Sequence, residues 1–243
     1  MAKLPADKKG ESNLSIDNAK VPLEKLLAVW DSFGPIILTI ALYAGIKYFI
    51  AEARYIPSGS MLPTLQINDR LIIEKLSYQR RSPRRGEVVV FNSPYSFNQE
   101  LISKRSSPLP SSFKCAIANF PLLNLLSGAI DPACHAYIKR VVAIEGDIVV
   151  VDSKGSVFIN NRLIKEPYVG NSCSLLEAGV ENCRYFNQEV PPRHVFVLGD
   201  NRSNSWDGRF WPGNGFLPEE EILGRAAWRF WPFNRLGRIN KAD

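Results

Sequence analysis

Apolar and polar positions along the chain fall into two regimes. Residues 32–51 read SFGPIILTIALYAGIKYFIA, an apolar run in which Lys47 is the only charge. About 20 mostly apolar residues cross a bilayer core as a helix, so this run predicts one transmembrane helix. Lys47 lies near enough to one end to carry its ammonium to the interface. Trp30, Tyr43 and Tyr48 set amphipathic rings near the ends. A buried core helix and a cleaved leader are the competing readings. Ala51-Glu52-Ala53 fits a small-x-small cleavage site. The segment before the run, however, is long and charge-balanced, whereas a leader opens on a short positive stretch and carries a shorter apolar core. The expectation is an uncleaved anchor.

Beyond residue 51 the pattern changes to short runs rich in β-branched and aromatic residues. These are LIIEKL (71–76), VVVF (88–91), YIKRVVAI (137–144), DIVVV (147–151), SVFI (156–159) and HVFVLG (194–199). Turn signals separate them at Asn68-Asp69, Arg85-Gly86, Gly146-Asp147, Asn160-Asn161 and Asp200-Asn201. The spacing predicts a mainly β, antiparallel sandwich or barrel-like domain. The chain then divides into a tail (1–31), an anchor (32–51) and a β domain (52–243) with excursions at 95–135 and 167–190. The first excursion holds the apolar run CAIANFPLLNLLSGAI (115–130), a short helix or a surface flap; the second reads as a loop or hairpin extension. The terminal stretch AAWRFWPFNRLGRINK (226–241) mixes aromatic rings with arginine, which suits a membrane interface and an ordinary final strand equally.

Composition narrows the class. With 243 residues, 45% hydrophobic and 22% charged, the chain is too apolar for a disordered tail. The net charge of +6 is too modest to indicate a nucleic-acid binder. The only two histidines, His135 and His194, lie far apart, which argues against a His-rich zinc enzyme. Cys115, Cys134, Cys173 and Cys183 all follow the apolar run, an arrangement that suits an oxidising compartment. Pairing 115 with 134 and 173 with 183 is the simplest arrangement, and four free buried thiols are the alternative. Flanking charge leaves orientation open: Lys20 and Lys25 on one side balance Arg54 and Arg70 on the other.

Three segments carry candidate chemistry. In YIPSGSMLPTL (55–65), Pro57 and Pro63 stiffen a turn bearing Ser58 and Ser60, set among apolar neighbours. A nucleophilic serine needs a base, and neither histidine has a clear orienting carboxylate. Lys139 lies within the apolar run YIKRVV. A solvated lysine with a pKa near 10.4 is almost wholly charged at pH 8, but a dry pocket disfavours the ammonium and frees the amine to take a proton. A solvated lysine on an amphipathic strand is the plainer reading of that segment alone. GDNRSNSWDGR (199–209) gathers polar residues into a tight loop, but it lacks the full spacing of a calcium loop.

In chain order, PSGSMLPTL (57–65), RGEVVVF (85–91), YIKRVVAIEGD (137–147) and GDNRSNSWDGR (199–209), following an apolar helix, resemble the type I signal peptidase (leader peptidase) family. The resemblance spans roughly residues 32–240. It implies a membrane-bound Ser-Lys endopeptidase of mostly antiparallel β fold that removes signal peptides from exported preproteins. By it, Ser60 is the nucleophile and Lys139 the general base. The Ser58 hydroxyl joins the Ser60 N–H in an oxyanion hole, and Ser205 orients the lysine. Asp200, Asp207, Arg209 and Arg140 form supporting ion pairs. Shallow pockets for small residues, Ala-x-Ala in the substrate, are expected from Ile56, Pro57, Met61, Leu65, Tyr137 and Ile138, with the substrate bound extended as an added strand.

The resemblance further implies no metal or organic cofactor, with preproteins and the lipid bilayer as partners and nucleic acid excluded. It places a single-pass protein in the cell membrane, or an equivalent inner membrane, with its catalytic domain on the extracytoplasmic side. Cys173–Cys183 resembles a disulfide found in the family's extension; the long 95–135 stretch has no matched role. Two other functions compete. A self-cleaving Ser-Lys protease of the SOS repressor type predicts a DNA-binding motif where this chain has its apolar run. A catalytically dead scaffold predicts loss of Ser60 or Lys139, and both are present.

Overall fold

The computed structural model describes residues 23–111, 114–115, 131–170 and 184–239. It divides into two units, Met1–Ala44 and Gly45–Asp243. The described residues of the first belong to a helix, α1 (Leu23–Gly45). One π-helical turn, Ile46–Ile50, follows at the start of the second unit. Phe33–Ile50 is long and apolar enough to cross a membrane, and its large side chains stand exposed. The helix begins earlier than the apolar run suggests, and Ala51 starts a strand instead of ending the span.

The described residues of the second unit hold twelve strands: β1 (Ala51–Tyr55), β2 (Arg70–Glu74), β3 (Val88–Asn92), β4 (Ala136–Ile144), β5 (Ile148–Val151), β6 (Val157–Ile159), β7 (Arg162–Leu163), β8 (Phe186–Glu189), β9 (His194–Leu198), β10 (Leu217–Pro218), β11 (Ile222–Trp231) and β12 (Gly237–Arg238). Two short helices, α2 (Pro94–Phe97) and α3 (Gln99–Ser103), follow β3. The larger sheet runs β1-β2-β11-β3-β4-β9-β10, with β12 on β11; the smaller runs β7-β6-β5-β8. Every described pairing is antiparallel. The mainly β expectation holds.

Period-two alternation sends side chains of the larger sheet to two cores. On one face Leu71, Ile73, Val88, Val90 and Ile138 pack with Ile56, Met61 and Leu65 from the β1–β2 connection. On the other, Val89, Phe91, Val141, Val195 and Val197 pack with Trp211 and Leu217. A third core, including Val142, Phe196 and Leu198, joins the sheet to the smaller one. At about 1.5–3 kcal/mol per buried Val, Leu or Phe, these clusters dominate the domain's stability. The Asn160-Asn161 signal becomes a two-residue hairpin between β6 and β7, both residues having positive φ, as a type I′ turn requires.

Part of the extension expected to be a loop or hairpin is strand β8, paired with β5. The terminal aromatic–arginine stretch lies largely in β11 and β12, and β11 is an interior strand between β2 and β3. Cys115 and Cys134 form a disulfide. Cys173, Cys183 and residues 116–130 lie outside the described residues.

Candidate active site

Ser60 sits on the turn that leaves β1, and the surrounding backbone holds that turn tightly. Ile56 N–H donates to the Asp69 carbonyl at 2.9 Å and Asn68 N–H to the Ile56 carbonyl at 2.8 Å, which close the loop's base. Met61 and Leu65 are wholly buried beneath it. From the other side, Asn201 donates its backbone N–H to the Ser60 carbonyl and its Nδ2 to the Gly59 carbonyl, both at 3.1 Å. Burial on one flank and hydrogen bonds on the other leave the Ser60 side chain little freedom.

Lys139 approaches from the middle of β4. Its Nζ donates to Ser60 Oγ at 2.8 Å and to the Ile138 carbonyl at 2.9 Å. The lysine is 3% exposed and the serine 8%. Burial drives the lysine pKa down to about 8; Asp207 and Asp200 pull it back up and Arg209 lowers it further. Desolvation penalises the ammonium and spares the neutral amine, so this lysine loses its proton well below the ordinary range of a lysine.

Behind the pair stand two buried ion pairs. Arg140 donates from Nε and Nη2 to the two oxygens of Asp200 at 2.8 and 2.6 Å. Arg209 donates to both oxygens of Asp207 at 2.9 Å. Burial pushes the Asp207 carboxyl up, but the Arg209 charge and hydrogen bonds, with the Gly199 N–H, outweigh it and hold the carboxyl below its ordinary range. Such pairs fix loop geometry more than they add stability.

The expected residues are distributed unevenly around this centre. Ser60, Lys139, Asp200, Asp207, Arg209 and Arg140 come together. Ser205 comes close, but its Oγ is buried without a hydrogen-bond partner, and neither hydrogen bond of Lys139 Nζ reaches it. Ser58 and Pro57 lie exposed on the turn. Ile56, Met61, Leu65 and Ile138 share one core, whereas Tyr137 belongs to the core on the opposite sheet face.

Several contributors carried no separate signal. Asn201 lies inside a recognised motif, yet only the fold reveals its clamp on residues 59–60. Gly199 is pressed so closely that an added Cβ would stand 2.2 Å from Ser205 Oγ and 2.6 Å from the Ser60 carbonyl oxygen. Tyr168 lays its ring 4.0 Å from the Arg140 guanidinium, and Glu166 pairs with Arg202. Both come from the stretch beyond β7, where nothing in the local sequence points to the site.

The sheet also has an opening here. Val141 exchanges both backbone bonds with Gly86 and Glu87, so odd-numbered residues of β4 point their backbone groups toward β3. Even-numbered residues therefore face the other edge. There β9 pairs only with Arg140 and beyond. Among the described residues no strand covers Ala136 and Ile138 on that side.

A sequence model of the family described as "Signal peptidase, peptidase S26" matches residues 29–231. A probable signal peptidase I-2 of Synechocystis sp. is 41% identical over 211 residues, covering 86% of this chain and 77% of the relative. Signal peptidase I of Leptolyngbya laminosa is 39% identical over 202 residues, covering 83% and 79%. Signal peptidase I of Mycobacterium tuberculosis is 31% identical over 225 residues, covering 85% and 74%. With a buried Ser-Lys contact at the centre of the fold and likeness running through most of its length, the chain belongs to the signal peptidase family, peptidase S26, and is a serine endopeptidase.

Proposed function

We propose that this protein cleaves signal peptides from exported preproteins after small residues of the Ala-x-Ala type, using Ser60 as nucleophile and Lys139 as its base. The observation that carries this reading is the 2.8 Å contact between Lys139 Nζ and Ser60 Oγ in a nearly dry setting. With a pKa of about 8, roughly half the amine is neutral at that pH and can accept the serine proton. Ser60 Oγ then bonds to the carbonyl carbon at the cut, and the carbonyl electrons move to oxygen. The Ser60 N–H and the Ser58 hydroxyl receive that oxyanion, each worth a few kcal/mol. Lys139 passes its proton to the departing amine. Water, deprotonated by the same lysine, releases the acyl group and restores the enzyme. Ser205, whose buried side chain packs against Gly199 next to the Ser60 turn, is assigned to hold the lysine once substrate arrives.

The uncovered edge of β4 supports an extended substrate. Its backbone would bond to Ala136 and Ile138 in the lane that β9 vacates, bringing a peptide bond to Ser60. Alternate side chains would then turn toward the apolar set Ile56, Pro57, Met61, Leu65 and Ile138, the proposed seat of the small residues. The apolar stretch Phe33–Ile50 is assigned as a single membrane anchor, with the catalytic domain on the extracytoplasmic side; the Cys115–Cys134 disulfide supports that side.

The test is cleavage of an Ala-x-Ala preprotein by the full chain in detergent. Wild type is expected to cut at that site, and Ser60→Ala and Lys139→Met to lose at least a thousandfold in kcat/KM. Near-wild-type turnover by Lys139→Met removes the lysine from the mechanism.

A further inference from the structure

The residues proposed to receive small side chains share a core with Ile138 on one face of β4, and the opposite face at the same strand end is different in kind. Tyr137 points to that second face, among Val89, Phe91 and Trp211. Trp206 lies over it, its ring 6.0 Å from Tyr137 and 6.2 Å from Trp211. Tyr95, from α2, stacks on Trp206 at 5.7 Å with 27° between the planes. Trp211 is fully buried, while Tyr95, Tyr137 and Trp206 are only partly so. The result is a three-ring ledge on a rigid base. It borders the uncovered edge of β4 and adjoins Ser205 and Asp207 along the chain.

An extended peptide in that lane alternates its side chains between the two faces. If the first and third residues before the cut turn toward Ile138 and Met61, the second turns toward the ledge. We propose that Trp206, with Tyr95 and Tyr137, forms a subsite for this second side chain and selects aromatic or long apolar residues there. The inference rests on the proposed Ser60–Lys139 cleavage with substrate laid along β4, and it adds a specificity element on the opposite face. A flat ring pair takes an aromatic or branched apolar group by stacking and desolvation, and gains nothing from glycine and loses with an aspartate.

The test uses the full chain in detergent with preproteins carrying Ala at the first and third positions and Phe, Leu, Gly or Asp at the second. An aromatic contact of ordinary strength predicts kcat/KM about threefold to tenfold higher for Phe and Leu than for Gly. Trp206→Ala is expected to bring the Phe/Gly ratio close to one, and Trp206→Phe to keep most of it. Tyr95→Ala, which removes the other half of the stack, should lower the same ratio and serves where Trp206→Ala does not fold. A wild type that cuts all four equally overturns the subsite. So does an unchanged Phe/Gly ratio in Trp206→Ala or Tyr95→Ala, because a purely structural role lowers all substrates together. An enzyme that cuts none of the four, or a Ser60→Ala variant as active as wild type, instead strikes the cleavage reading itself.

Discussion

Replacing Lys139 by Met removes a group whose ionisation is coupled to folding, and the size of that coupling follows from its surroundings. The folded lysine titrates near 8, against an ordinary value of 10.5. At about 1.4 kcal/mol per unit, the gap corresponds to about 3 kcal/mol. Below pH 8 the amine is charged in both folded and unfolded states, so the folded state bears the full desolvation penalty. Between pH 8 and 10.5 the folded lysine has lost its proton while the unfolded one keeps it. The unfolded state then binds more protons, and stability rises with pH. Wild type should therefore gain about 2 to 3 kcal/mol relative to Lys139→Met between pH 7 and pH 10. The assay is denaturant unfolding of both full-length proteins in the same detergent at several pH values. Subtracting the variant cancels every other titrating group that the two share. A difference that stays flat across this range refutes the claim that burial depresses this amine. The same titration predicts kcat/KM rising through a midpoint near pH 8.

Asp207→Asn removes the carboxylate that raises the lysine pKa, so the rise in kcat/KM should move to lower pH; a shift to higher pH contradicts the charge balance drawn for the site. It also takes the carboxylate from beside the buried Arg209 guanidinium, at a cost of about 3 to 5 kcal/mol in unfolding free energy. Gly199→Ala places a methyl within 2.2 Å of Ser205 Oγ and 2.6 Å of the Ser60 carbonyl, which forces the two loops apart. It should lose about 1–3 kcal/mol of stability, read by unfolding, together with most of its activity. Wild-type turnover by this variant removes the close approach from the positioning of Ser60.

Much of the site is written locally. Ser60 stands between Pro57 and Pro63 on a turn that the prolines announce. Lys139 interrupts an apolar strand, which singles it out, although a solvated lysine on an amphipathic strand leaves the same local pattern. The main strands follow from β-branched runs bounded by turn residues, and they fall within a residue or two of the observed limits. The errors have physical sources. Ala51 continues an apolar run by composition, but its backbone groups find partners on β2 and the chain extends there. The terminal stretch reads equally as an interface tail and a final strand because its arginines mask the alternation; β11 is a central strand because its backbone pairs with β2 on one side and β3 on the other. Tyr168 and Glu166 lie in a stretch without periodicity, and no local pattern reports a contact made more than twenty residues away.

What the sequence determined by itself is the inventory: an apolar helix, a β-rich domain, a stiffened serine turn and a lysine in an apolar strand. Each is encoded by neighbours within a few residues, through dihedral restriction and side-chain period. What only the tertiary structure decided is the charge state of that lysine. Its pKa depends on water being excluded by the Ser60 turn, the 199–209 loop and two ion pairs, which the chain brings together from positions far apart. Desolvation belongs to the assembled surroundings and to no residue alone.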